Sequence, residues 1–237
     1  MTTVLTAAAI VVLGQSRSIN DYVQTNLRDV TFTAKVGTAS QKELAKINED
    51  FAKSYRIKST VVRLKEPMKL RLEAQVDEEN EVVFIVNGSV RRYRYPKANI
   101  SAKENLAKSP GKRQTFLDFG LVTPGLFKDF YVPTFVRIDR ETGLAVFDLT
   151  FPKALDDTSR QRVFIDPHKH YVVKREWYAQ EGNLRAVFQY ENAVQSSGVW
   201  IPTKTTVFNA ERKQAGITNY LGVKANTGLS EDLFSVN

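Results

Sequence analysis

The sequence predicts an α+β, mainly β protein: a curled antiparallel sheet of about eleven strands, closed or half-closed, with helical segments to cover its concave face. Three observations predict it. Alternation with a period of two recurs along most of the chain after Ile57, turn residues punctuate it at short and even intervals, and two amphipathic segments interrupt it. Short, even connections suit a meander and not βαβ units. A sheet of about eleven strands does not stay flat; it curls into a barrel or half-barrel.

Composition narrows the class. Of 237 residues, 42% are hydrophobic and 25% charged, which excludes global disorder and coiled coil, and 12 Gly with 8 Pro exclude a collagen-like or low-complexity chain. The absence of cysteine excludes a disulfide scaffold, a thiol nucleophile, a cysteine metal site and a lipid-modified N-terminal Cys. Two His side chains are too few for a multi-His metal centre, and no cofactor is expected.

The N-terminus has its own pattern. The first fourteen residues carry no charged side chain, and Val4 to Leu13 are almost wholly apolar. That length matches the apolar region of a secretory signal and falls short of the roughly 20 residues that span a bilayer. Gly14 and Ser16 supply small residues for cleavage, although no Lys or Arg precedes the apolar run; a buried strand or helix is the alternative. Residues 1–16 therefore read as a signal peptide. Residues 17–237 read as one domain, because no Pro-, Gly- or Ser-rich linker divides them.

Taken in order, a short helical stretch near Ile19 to Leu27 leads into a strand at Val30 to Val36. Ser40 with Glu43 three residues later is a capping box, opening a helix to about Tyr55 with Leu44, Ile47, Phe51 and Tyr55 on one stripe. Met68, Leu70, Leu72, Ala74 and Val76 alternate with charged and polar residues as a half-buried strand; Asp77–Asn80 turns it. Val82 to Val86 and Ser89 to Tyr95 flank Asn87-Gly88, a strong hairpin pair. Residues 97–115, polar and basic, read as a mobile loop. Phe116 to Tyr131 is very apolar and reads as one or two short helices, with Thr123 able to cap and Pro124 at the first position. Further strands follow at Phe135 to Asp139, Leu144 to Phe151, Arg160 to Ile165, Tyr171 to Tyr178, Leu184 to Glu191, Trp200 to Phe208 and Ile217 to Lys224.

The two amphipathic segments must bury their apolar stripes, and the concave face is where they can do so. The covering residues are Leu44, Ile47, Phe51, Leu126 and Phe127. Facing them from the strands are Leu70, Leu72, Phe84, Phe147 and Phe188. Each either packs a core or lines a hydrophobic cavity; large apolar residues are mostly packing.

The order of motifs resembles the LolA-like periplasmic lipoprotein carriers and the broader outer-membrane lipoprotein-sorting proteins. The resemblance runs through the helix Leu44 to Tyr55, the strand Ile57 to Lys65, the Pro67-led strand, the hairpin Ile85-Val86-Asn87-Gly88 and Tyr93-Arg94-Tyr95-Pro96. It continues at Thr123-Pro124-Gly125-Leu126, Pro152-Lys153, Asp166-Pro167, Glu181-Gly182, Gly198-Val199-Trp200-Ile201-Pro202 and the chain end Leu229 to Phe234, covering residues 40–235. It implies a half-barrel of eleven strands with a helical lid over a cavity for acyl chains, in a periplasmic, exported protein. LolA-type carriers latch the lid with an Arg directly before the Pro of the second strand. Here that position is Glu66.

Other constellations carry less. Arg91, Arg92 and Arg94, with Lys97, Lys103, Lys108, Lys112 and Arg113, gather part of the net charge of +8 around one hairpin and the following loop. They are either a solvated edge or a surface for anionic lipid headgroups or a partner protein, at about 1 kcal/mol per cation near a membrane. Interleaved Tyr93 and Tyr95 allow base stacking, but no nucleic-acid module accompanies them. His168 and His170 lack a third metal ligand, and the pairs Asp156-Asp157 and Glu231-Asp232 sit in polar turns. No nucleophile elbow, P-loop or dinucleotide fingerprint occurs, so no catalytic residue is assigned. The expected protein is a monomeric, non-enzymatic carrier of lipid or lipoprotein acyl chains, with inner- or outer-membrane partner proteins, transient membrane contact and no nucleic acid. An envelope-stress sensor or regulatory module on the same scaffold is the alternative.

Overall fold

A computed structural model describes residues 17–76 and 80–237; the apolar stretch read as a signal peptide and most of the Asp77–Asn80 turn lie outside them. After a 3-10 turn at Ile19–Tyr22 the chain forms β1 (Asp29–Ala39), α1 (Gln41–Ile47) and α2 (Glu49–Ser54). A run of hairpins follows: β2 (Ser59–Lys65), β3 (Lys69–Gln75), β4 (Glu81–Asn87), β5 (Val90–Tyr95) and β6 (Ile100–Asn105). Residues 106–131 contain two 3-10 turns, Pro110–Lys112 and Phe116–Phe119, and the short helix α3 (Gly125–Lys128). Then come β7 (Val132–Ile138), β8 (Ala145–Thr150), β9 (Arg160–Ile165), β10 (Val172–Tyr178) and β11 (Leu184–Glu191). The chain closes with β12 (Val194–Ser196), β13 (Val199–Ile201), β14 (Lys204–Asn209), β15 (Gln214–Ala225) and a 3-10 turn at Glu231–Phe234.

Among the described residues thirteen strands form one sheet in the order β6-β5-β4-β3-β2-β1-β15-β14-β11-β10-β9-β8-β7, all antiparallel, with β6 and β7 as its outermost strands and β12–β13 as a separate ribbon. The long strands β1 and β15 meet at the middle, where register shifts at Thr31/Thr33 and Val36/Thr38 mark bulges. Bulges increase local twist and help a wide sheet curl. The curl is evident from contacts of residues 106–131 with strands far apart in the sheet: Phe119 meets Phe32 of β1, and Tyr131 stacks on Phe151 beyond β8. That segment runs from one edge strand to the other across the concave face and is the lid.

Three expectations need correction. The stretch 97–115 is not all loop, because it contains β6; an edge strand exposed on both faces has no need of an apolar stripe, so no alternation announced it. The helix at 40–55 is two helices. Asn48 adopts an extended backbone between them and its side chain accepts from the Asp50 and Phe51 N–H groups, so it caps the second helix. The strand at 200–208 is broken at Pro202, which cannot donate to a ladder.

The buried cluster occupies the concave side. Val30 and Phe32 of β1, Leu64 and Leu70, Phe147, Val163 and Phe188 meet Phe116, Leu117, Leu121 and Leu126 of the lid. The convex side of β2–β4 is covered by the chain end: Phe234 is fully buried, and the Leu233 and Phe234 carbonyls accept from Arg71 and Asn87.

Candidate functional site

Strand alternation sorts β3–β6 into two faces. On the concave face, the cross-strand row Leu72–Phe84–Tyr93–Ala102 lies beside the pairs Ala74–Val82 and Tyr95–Ile100. Leu72, Val82, Phe84 and Tyr93 are half-buried, Tyr95 is 39% exposed and Ile100 59% exposed. Phe84 and Tyr93 stack with ring centroids 6.2 Å apart. This half of the concave face is therefore an apolar strip only partly covered, with Leu72 and Phe84 packed against the core and the Arg91 guanidinium over Phe84 and Tyr93. Phe51 on α2 and Phe127 on α3 are also half-buried, and Phe51 stands edge-on to Phe188 at 6.0 Å.

The lid is fastened at discrete polar points. Between β2 and β3, the Glu66 carboxylate accepts from the Thr123 hydroxyl at 2.6 Å and from the Gly125 N–H at 3.0 Å. Burial raises the Glu66 pKa above the ordinary carboxylate value, against the lowering effect of the bonds from Thr123, Gly125 and Met68. From the opposite side Arg175 of β10, 7% exposed in its side chain, donates to Asp118 at 2.8 Å. Asp118 also accepts from the Thr115 N–H at 2.9 Å, closing a capping box on the turn Phe116–Phe119. The Arg175 guanidinium lies 4.0 Å from the Phe188 ring centroid. Burial opposes its charge, yet the neighbouring Tyr190, Asp118 and Tyr131 hold its pKa above the usual arginine value. The Tyr190 hydroxyl donates to the Leu117 carbonyl at 3.0 Å, and burial pushes its own pKa up. At the β5 end, Arg91 donates to the Lys112 carbonyl at 3.2 Å and pairs with Glu104, while its guanidinium lies over Phe84 and Tyr93.

The ten expected apolar residues fall into two groups. Leu44, Ile47, Leu70, Leu126, Phe147 and Phe188 are sealed in the core, whereas Phe51, Leu72, Phe84 and Phe127 keep exposed surface. The three expected arginines do not share a face. Arg92 and Arg94 alternate with Arg91 and lie on the convex side, where Arg92 donates to Ser101 at 3.0 Å and pairs across the ladder with Lys103. His170 contacts the Pro167 carbonyl at 2.9 Å, and among the described residues no group of three or more His, Cys, Asp or Glu is placed to hold a metal. Sequence reasoning missed Arg175 and its partners. The available signal was an Arg at an inward position of a strand, with Lys174 and Glu176 beside it.

A chain described as a "putative outer membrane lipoprotein-sorting protein domain", from Vibrio parahaemolyticus, matches over 91% of this chain and 92% of its own, with a TM-score of 0.60 at 13% identity. A LolA superfamily protein from Nitrosomonas europaea matches over 91% and 93%, with a TM-score of 0.53 at 14% identity. The chain shares its fold with these two structures. A DUF1329 family protein from Desulfovibrio piger matches this LolA-like fold over 89% and 91%, with a TM-score of 0.50 at 11% identity. At such identities the likeness concerns the fold alone. A family model described as "Uncharacterized protein" matches residues 141–237 of this chain, and no curated protein sequence matches it. Among the described residues no helix is long and apolar enough to cross a membrane.

Proposed function

We propose that this chain is an exported, periplasmic carrier or binding protein that holds acyl chains of a lipid or lipoprotein on the concave face of its half-barrel, and takes part in lipoprotein sorting to the outer membrane. One observation carries the reading: a partly covered apolar strip, Leu72–Phe84–Tyr93 with Tyr95 and Ile100, lies beside a lid held by a few polar contacts. Contiguous exposed apolar surface on a soluble-type sheet marks a binding site. The LolA-like fold and the sorting domain that shares it support the same reading.

The mechanism is passive and needs no catalytic residue. When the Glu66 and Asp118 contacts break, α3 and the turn before it lift, and sealed side chains such as Leu126 and Phe116 expose apolar surface. Acyl chains replace those contacts at about 0.8 kcal/mol per buried CH₂, so several chain lengths are accepted. Release follows when a partner or a membrane offers greater burial. Delipidated protein titrated with a fluorescent acyl-chain probe should bind it, and fatty acid or lipopeptide should displace it. Absence of displacement by either contradicts the proposal.

A further inference from the structure

Among the described residues, Arg113 and Gln114 of the lid segment and Gln161 of β9 each keep a buried side-chain polar atom without a partner. The backbone N–H of Arg113 donates to the Pro110 carbonyl at 3.0 Å, but among the described residues its side chain makes no hydrogen bond or ion pair, and its Nε is buried without an acceptor. Its guanidinium sits 4.6 Å from the Phe130 ring centroid. Burial, opposed by the Tyr131 phenol, holds its pKa below the usual arginine value, and among the described residues no carboxylate pairs with it. Phe130 packs on Tyr131 at 4.6 Å and on Phe151 at 5.3 Å, forming an aromatic wall.

The same wall is flanked by a second unpartnered group. Phe151 leaves the end of β8, and two residues earlier Leu149 pairs directly with Gln161 of β9, on the concave face. Gln161 is 9% exposed, and among the described residues its buried Oε1 has no partner; the buried Oε1 of Gln114, next to Arg113 in sequence, likewise has none. Among the described residues neither acid of this region pairs with Arg113, although the Asp157 Oδ2 lies beside Gly111. Asp118 holds Arg175 and Thr115, and Asp157 accepts from the Ser159 N–H at 2.9 Å and its hydroxyl at 2.6 Å.

A half-buried guanidinium without an acceptor is unfavourable, and a ligand oxyanion is the group that relieves it most. The Gln161 amide stands on the same aromatic wall and, flipped so that its NH₂ replaces the unpartnered oxygen, adds a neutral donor there. We propose that Arg113, assisted by Gln161, receives the ionised oxygen headgroup, carboxylate or phosphate, of an acyl ligand whose chain lies on the concave face. This deepens the carrier reading and rests on it: it directs the site toward an anionic lipid and away from a neutral acyl group.

The test compares palmitate with hexadecanol, equal in chain length and different in charge, on delipidated full-length protein at neutral pH. Wild type should bind palmitate about tenfold or more tightly than hexadecanol, the size expected of a hydrogen-bonded charge. Arg113→Gln should bring palmitate affinity down to about that of hexadecanol, Arg113→Lys should keep part of the preference, and Gln161→Leu should reduce it. Equal affinities in wild type, or a preference that survives Arg113→Gln, overturn the headgroup assignment while hexadecanol binding leaves the carrier reading standing. Binding of neither probe overturns both. Inorganic phosphate at the palmitate concentration should fail to displace it; displacement would assign the site to free anions and overturn the proposal. If Arg113→Gln does not fold, the Lys and Gln161→Leu variants decide.

Discussion

Glu66 and Thr123 lie 57 residues apart in sequence and meet through a 2.6 Å hydrogen bond that joins the β2–β3 connection to the lid. The same carboxylate takes the Gly125 N–H, one of the free donors at the start of α3. LolA-type carriers are expected to latch the lid with an Arg at this position. Here an acid does the fastening, and the donors come from the lid.

Breaking this latch should open the lid. Glu66→Ala strands two donors, a loss of about 1–3 kcal/mol for each buried group left unpaired. Hydrogen exchange across residues 121–131 should rise by about tenfold or more, while the strands β1 and β15 stay protected. Unchanged exchange in the lid would show that Glu66 does not fasten it.

The latch should also depend on pH. Burial raises the folded pKa of Glu66, so the closed state binds the proton more tightly than an open state with an ordinary carboxylate. The contribution is full below the ordinary carboxylate pKa of 4.5 and declines as pH rises through the raised folded value. Lid exchange should therefore increase with pH across that window, after correction for intrinsic exchange, and Glu66→Gln should flatten the dependence.

Gly125 is required where it stands. A Cβ there would lie 2.6 Å from Glu66 Oε2, the movable end of a side chain, so Gly125→Ala should expel the carboxylate without disturbing the backbone. The prediction is a lid as open as that of Glu66→Ala, with the double variant no more open than either single one. Lid exchange in the three variants checks it.

On the other side of the lid, Asp118→Ala removes the carboxylate partner of Arg175, whose side chain is 7% exposed. Stranding a buried cation costs about 3–5 kcal/mol, and the lower end applies because the Asp118 side chain is 36% exposed and partly screened. Urea unfolding should show a lowered midpoint with an unchanged slope.

Binding and stability should separate along the two groups of apolar residues. Phe84→Ser, in the partly covered strip, should weaken acyl-probe binding with little loss of stability. Phe147→Ala, at 1% exposure, should cost about 3–5 kcal/mol of stability. Thermal unfolding and probe titration of both variants give the comparison.

Much of the sheet was legible because local signals end its strands. Arg160–Ile165 and Leu184–Glu191 match their expected bounds, stopped by Asp166-Pro167 at the end of one and started after Gly182-Asn183 in the other. The apolar candidates were legible as inward-facing residues, yet alternation says nothing about which of them the lid covers: Leu70 and Leu72 share a parity, and only Leu72 keeps exposed surface. The polar fasteners were not legible. Arg175 and Asp118 are also 57 residues apart, and only the curl of the sheet brings them together. Arg91, grouped with Arg92 and Arg94 by proximity in sequence, turns inward because neighbours in a strand point to opposite faces.

The most direct measurement is native mass spectrometry of the protein purified from its own source without detergent, followed by solvent extraction and lipid analysis. An acyl-chain carrier should carry near-stoichiometric acyl lipid or lipopeptide, lost on extraction. A bare chain that also fails to take up palmitate or lipopeptide after delipidation would contradict acyl binding on the concave face.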